Sequence, residues 1–133
     1  MTINEALALG RRMMACKGFE WRPGMHALPS FGHAGGVVVE VERDGFLLFH
    51  GHGEGQEMVD MEPADRLVPD PRDPGVVGHA LAMMRAAYDD GSLCPTNRVR
   101  QNVWHIFGTG RGHPFHESPT EVEVIVNAWE ALS

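Results

Sequence analysis

The sequence predicts an α+β fold: a small antiparallel sheet, including a β-hairpin at about residues 37–50, covered on one face by three helices at about residues 3–17, 74–90 and 119–132. Three observations carry this expectation. Capping residues stand at the start of each helical stretch, two apolar runs flank Asp44-Gly45, and Val103-Trp104-His105-Ile106-Phe107 reads as a further strand. With 133 residues, 43% of them apolar and 22% charged, the chain has the composition of one folded domain spanning 1–133.

The first helix opens on Thr2-Ile3-Asn4-Glu5, a capping box. The Thr2 hydroxyl is placed to accept from the Glu5 amide while the Glu5 side chain reaches back to the Thr2 amide. Ile3, Ala6, Leu7, Met13 and Met14 recur at helical spacing, the cations Arg11, Arg12 and Lys17 suit the negative end of the helix dipole, and Gly18 is a natural stop. Phe19 and Trp21 then alternate up to a Pro23-Gly24 turn signal, which leaves room for a short edge strand, with Trp21 as a core or edge anchor. Residues 29–36 form a glycine-rich loop leading into the hairpin strands, 37–42 and 46–50. A two-residue Asp44-Gly45 loop would set Val39 opposite His50. A three-residue loop with Gly45 in the left-handed region pairs Val39 with Phe49 and Val41 with Leu47, and we expect this register because it gathers the apolar residues on one face.

Residues 51–73, rich in glycine, proline and acids, read as a long connection with little regular structure. Asp73-Pro74 then starts the second helix, aspartate as N-cap and proline at the first helical position, where its missing amide costs nothing. Its apolar face is expected to be Val77, Ala80, Leu81, Met84, Ala87 and Tyr88, with Gly91 ending it and Met83-Met84 as core filling. Residues 92–100 read as a loop, and Gly108-Thr109-Gly110-Arg111-Gly112 as a structural turn: it lacks the Lys-Ser/Thr of a phosphate loop and is not joined directly to a helix. Ser118-Pro119-Thr120-Glu121 reads as a capping box for the last helix, whose stripe is Val122, Ile125, Trp129 and Leu132.

Charge narrows the function classes. The chain carries a net −7, and residues 40–73 account for all of it, with ten acidic side chains against Arg43, Arg66 and Arg72. General nucleic-acid binding, which needs lysines and arginines on phosphates, is not expected. No apolar run reaches the ~20 residues of a membrane span and no secretory leader is visible, so the expected address is cytoplasmic. Cys16 and Cys94 have no CxxC spacing and suggest free thiols; neither GxSxG nor HExxH occurs, so no familiar class of enzyme is indicated.

Eight histidines include two pairs with ligand-like spacing. His50-Gly51-His52-Gly53-Glu54 would place two imidazoles and a carboxylate on one side if the hairpin strand continued that far, and His113 and His116 form the second pair. Converging, the four histidines would suit Zn²⁺.

Three segments together resemble a family of small uncharacterised proteins encoded by phages and prophages: Gly18-Phe19-Glu20-Trp21-Arg22-Pro23-Gly24-Met25, the run from Asp70-Pro71-Arg72-Asp73-Pro74 to Tyr88, and the run from Ser118-Pro119-Thr120-Glu121 to Leu132. There a WxPGM segment precedes a helix capped by DP and a last helix opened by TE. The resemblance spans half the chain and implies a shared fold; no reaction, cofactor or catalytic residue comes with it. It implies a phage or prophage accessory protein, non-enzymatic, that binds another macromolecule, with a protein as the expected partner. The alternatives are a metal-binding protein using His50, His52, His113 and His116, and a virion or assembly component.

Overall fold

The computed structural model describes residues 1–28, 35–42, 45–53, 56–98, 103–107 and 117–132, with the backbone alone for 46–62, 98, 107 and 117. Within them the fold is α+β, with helices α1 (Ile3–Met14), α2 (Pro74–Tyr88) and α3 (Glu121–Glu130). The strands are β1 (His26–Ala27), β2 (Gly36–Val41), β3 (Phe46–Gly53), β4 (Gln56–Pro63), β5 (Cys94–Arg98), β6 (Val103–Phe107) and β7 (Glu117–Ser118). They form two antiparallel sheets, ordered β1-β2-β3-β4 and β5-β6-β7.

Helix α1 starts as its capping residues dictate. Thr2 Oγ1 accepts from the Glu5 amide at 3.2 Å, but the return bond runs from the Thr2 hydroxyl to Glu5 Oε1 at 3.1 Å instead of from the Thr2 amide. The helix ends at Met14, three residues short of Lys17, and Gly18 (φ +81°) sits in the turn that follows. Ala6, Leu9, Gly10 and Met13 are its buried face. The Pro23-Gly24 turn forms as its residues require, Gly24 at φ +92° and the Met25 amide donating to the Arg22 carbonyl, and a short strand follows it.

The hairpin register is half as expected. Val41 pairs with Leu47 and Gly45 takes φ +83°, as a three-residue loop demands. Val39, however, is the extra residue of a β-bulge, so that Val38 pairs with Phe49 and Val37 with His50. The cause lies across the sheet. Val38 donates to the Met25 carbonyl at 2.9 Å and accepts from the Gly24 amide at 2.7 Å, which holds it inward at 0% exposure while Val39 and Val41 stay outside.

Two stretches expected to be irregular are ordered. β3 continues to Gly53 and pairs along its whole length with β4, and a 3₁₀ turn follows at Ala64–Arg66, so the described residues from 51 to 66 hold regular structure and are not a bare connection. β5 occupies 94–98 inside the supposed loop 92–100 because β6 supplies a partner for every residue of it. Neither stretch carries an apolar alternation; each pairs with a neighbouring strand that the local sequence does not announce.

Helix α2 is capped by Asp73, whose Oδ2 accepts from the Val76 amide at 3.0 Å, with Pro74 first inside. It stops at Asp89 in the left-handed conformation (φ 53°), two residues before Gly91. Helix α3 is capped by Thr120, not Ser118: Thr120 Oγ1 accepts from the Glu123 amide at 3.2 Å. Ser118 belongs to β7, paired with Trp104, and its hydroxyl donates to Glu123 Oε2 at 2.7 Å. The strand claims the first cap candidate, so the helix begins at the next one. α3 is the centre of the core: Val122, Val124, Ile125, Val126, Ala128 and Trp129 are all buried, and they pack with Met13 of α1, Met83 and Met84 of α2, Val38 of β2 and Ile106 of β6. Trp129 Nε1 donates to the Lys17 carbonyl at 2.6 Å, and Arg12 binds Glu130 and Asn127, so α3 is tied both to α1 and to the turn that follows it. Trp21 is a core anchor, its Nε1 donating to the Ala64 carbonyl at 3.2 Å and its ring meeting Phe19 edge-on.

Candidate functional site

The start of α2 is where the chain concentrates polar side chains with defined partners. Asp73 serves two neighbours, its Oδ2 capping the helix and its Oδ1 lying 3.8 Å from His26 Nε2 of β1. Asp70 Oδ1 accepts from the Arg72 amide at 2.9 Å and from Arg72 Nε at 3.0 Å, while Oδ2 accepts from the other arm of the guanidinium at 3.2 Å. This two-point hold on Arg72 pushes its pKa further up, hydrogen bonding to Asp70 being the main cause. A Cβ on Gly75 would meet Asp73 Oδ2 at 2.9 Å, so glycine there leaves the cap room to reach its amide.

Beside these groups a half-open groove of about 410 Å³ runs along α2, lined by Arg72, Pro74, Val77, Gly78, Leu81 and Glu121. Of the face that spacing nominated, Ala80 and Met84 are fully buried, together with Val76 and Met83, whereas Val77 and Leu81 pack against the core but are only half-buried. Pro74, Val77, Gly78 and Leu81 therefore form a second stripe at positions i, i+3, i+4 and i+7, with nothing within 4 Å of a Cβ placed on Gly78. Arg72 flanks the stripe with its charge already matched by Asp70, and Glu121 from the first turn of α3 adds a carboxylate, so the groove is apolar with a negative balance.

The histidines singled out by spacing fall elsewhere. His50 and His52 lie in β3, two apart and therefore on the same face of the strand; His113, His116 and Glu54 lie outside the described residues, as does the 108–112 turn. Among the described residues no three His, Cys, Asp or Glu side chains gather as a metal would require. His105 of β6, buried at 1% exposure, carried no signal beyond its place in an apolar run. Cys16 is buried and Cys94 exposed. Burial pushes the Cys16 thiol up to about 11, which makes it a core group and not a nucleophile at neutral pH.

No family model, curated protein or solved structure matches this chain. Its function is therefore read from its own geometry. The residues of this region come from separated parts of the chain, His26 from β1, Asp70 to Leu81 from the start of α2 and Glu121 from α3. Sequence spacing alone marked these as caps and core positions; the side-by-side placement of Arg72, Gly78 and Glu121 needed the packing of α2 on α3. No helix in the described residues is long and apolar enough to cross a membrane.

Proposed function

We propose that this chain is a binding protein that acts by docking a segment of a partner protein into the α2 groove. The observation that carries the reading is the second apolar stripe of α2, whose Val77 and Leu81 pack against the core on one side and remain half-exposed to the groove on the other. The groove's negative balance, from Glu121 beside an Arg72 already paired, favours a segment that presents an apolar side chain next to a lysine or arginine. The resemblance to phage and prophage proteins makes the partner a protein of the bacterial host, and the role that of an accessory protein acting without catalysis.

Gly78→Arg is the decisive variant. The position is exposed and open, so the substitution fills the groove without entering the core, and replacing a mid-helix glycine raises helix propensity by up to about 1 kcal/mol. Affinity capture from a lysate of the bacterial host is expected to retain a discrete protein on the wild-type chain and to lose it on Gly78→Arg, with the melting temperature of the variant equal or higher. Capture of nothing specific, or of the same protein by both chains, overturns the proposal.

A further inference from the structure

Among the described residues, Gly10, Gly75 and Gly78 lie inside helices, where glycine is a weaker helix former than alanine. Two of them have a reason within the chain. A Cβ on Gly10 would stand 2.5 Å from the Pro69 carbonyl oxygen, and one on Gly75 would stand 2.9 Å from Asp73 Oδ2. Gly78 has no such neighbour, since nothing lies within 4 Å of a Cβ built there. The space above it opens into the groove, beside the half-buried Val77 and Leu81.

Pro74, Val77, Gly78 and Leu81 stand at i, i+3, i+4 and i+7 of α2. Four positions so spaced are the corners of the hole that receives one side chain, the knob, when a second helix packs on the first. A glycine at one corner deepens that hole and lets the second backbone approach closely. The conformation of the occupant follows from the walls. They are helical flanks, α2 on one side and Glu121, the first residue of α3, on the other. Backbone amides inside α2 are spent on the helix itself, so an extended segment, which binds through main-chain hydrogen bonds to an open sheet edge, finds no such partners here. A docking helix satisfies its own backbone and needs only places for its side chains.

Resting on the docking reading above, we infer that the segment taken up by the groove is an amphipathic helix of the partner protein. It seats one large apolar side chain over Gly78, between Val77 and Leu81, and carries a lysine or arginine three or four residues away, on the same face, toward Glu121. The cation is drawn to Glu121 because Arg72, the other charge lining the groove, is already held at two points by Asp70.

Selection of displayed peptides on the intact 133-residue chain tests this. One library is a stable helical scaffold randomised along one face, the other a set of extended, proline-punctuated peptides. The helical library is expected to yield binders with a leucine, phenylalanine or methionine knob and a basic residue three or four positions from it, weakened at least about tenfold by Gly78→Arg. Selection on Glu121→Lys should keep the knob and replace the basic residue by glutamate or aspartate, a reversal that a misfolded variant would not produce. Gly78-sensitive binders of equal or greater affinity from the extended library overturn the helical assignment and leave docking in the groove standing. Helical binders whose charge does not follow residue 121 overturn the role of Glu121. If neither library yields a binder sensitive to Gly78→Arg, the docking reading falls together with this one.

Discussion

Gly10 shows how one side chain's absence can decide a contact. It sits in the middle of α1, where glycine costs about 1 kcal/mol of helix stability relative to alanine, yet a Cβ there would stand 2.5 Å from both the Pro69 carbonyl oxygen and Val68 Cγ1. The backbone oxygen cannot swing aside as a flexible side chain would. Gly10→Ala is therefore expected to destabilise the protein by about 1–3 kcal/mol despite its better helix propensity, as measured by urea denaturation. Cys16 makes a second prediction. Burial raises the folded-state pKa of its thiol from the ordinary value of 9.0 to about 11, so the unfolded chain gives up the proton first as pH rises. The stabilisation is complete below pH 9 and is lost between 9 and 11; denaturation curves for the wild type should weaken over that interval more than those of Cys16→Ala. At neutral pH a thiol reagent should modify exposed Cys94 quickly and Cys16 only after unfolding.

Among the elements, α2 and α3 show why caps and faces are separate problems. A cap is local chemistry, and Asp73 and Thr120 each offer an oxygen to an amide three residues on. Where two candidates lie close together, as Ser118 and Thr120 do, local chemistry does not choose; pairing of Ser118 with Trp104 across β7 and β6 chooses Thr120. Thr120→Ala should cost about 1 kcal/mol, and Thr120→Asn should restore most of it because asparagine caps equally well, both read from thermal unfolding. The face of α2 is set by its neighbours. Val76 is wholly buried and Val77 lies partly in the groove, so Val76→Ala is expected to cost about 1–3 kcal/mol and Val77→Ala less than about 1, the reverse of the order that the helical spacing predicts.

At the level of the whole molecule, the charge distribution acquires a location. The acidic stretch from Glu40 to Asp73 takes in the end of β2, all of β3 and β4, and the cap of α2, and β4, at the sheet's edge, carries Glu57, Asp60 and Glu62. Charges on an edge strand oppose pairing with another chain. Replacing Asp60 and Glu62 together by threonine, a good strand former without charge, should leave the monomer folded but promote association, visible as concentration-dependent light scattering. The core is built around α3, which receives α1, α2, β2 and β6.

Short-range chemistry was legible in the amino-acid order. The Thr2 and Asp73 caps, the Pro23-Gly24 turn, Gly45 in the hairpin loop and β6 at residues 103–107 all depend on residues within a few positions of one another, where side-chain type fixes backbone geometry directly. What depended on a distant neighbour was not legible. β4 and β5 have no apolar alternation and exist because β3 and β6 offer them a ladder; the Val39 bulge follows from bonds between Val38 and the Pro23-Gly24 turn; Ser118 lost the cap to a strand partner. The same division runs through the α2 groove: Asp73 and Pro74 were visible as a cap, whereas Glu121 beside Gly78 is a neighbour only in the folded chain.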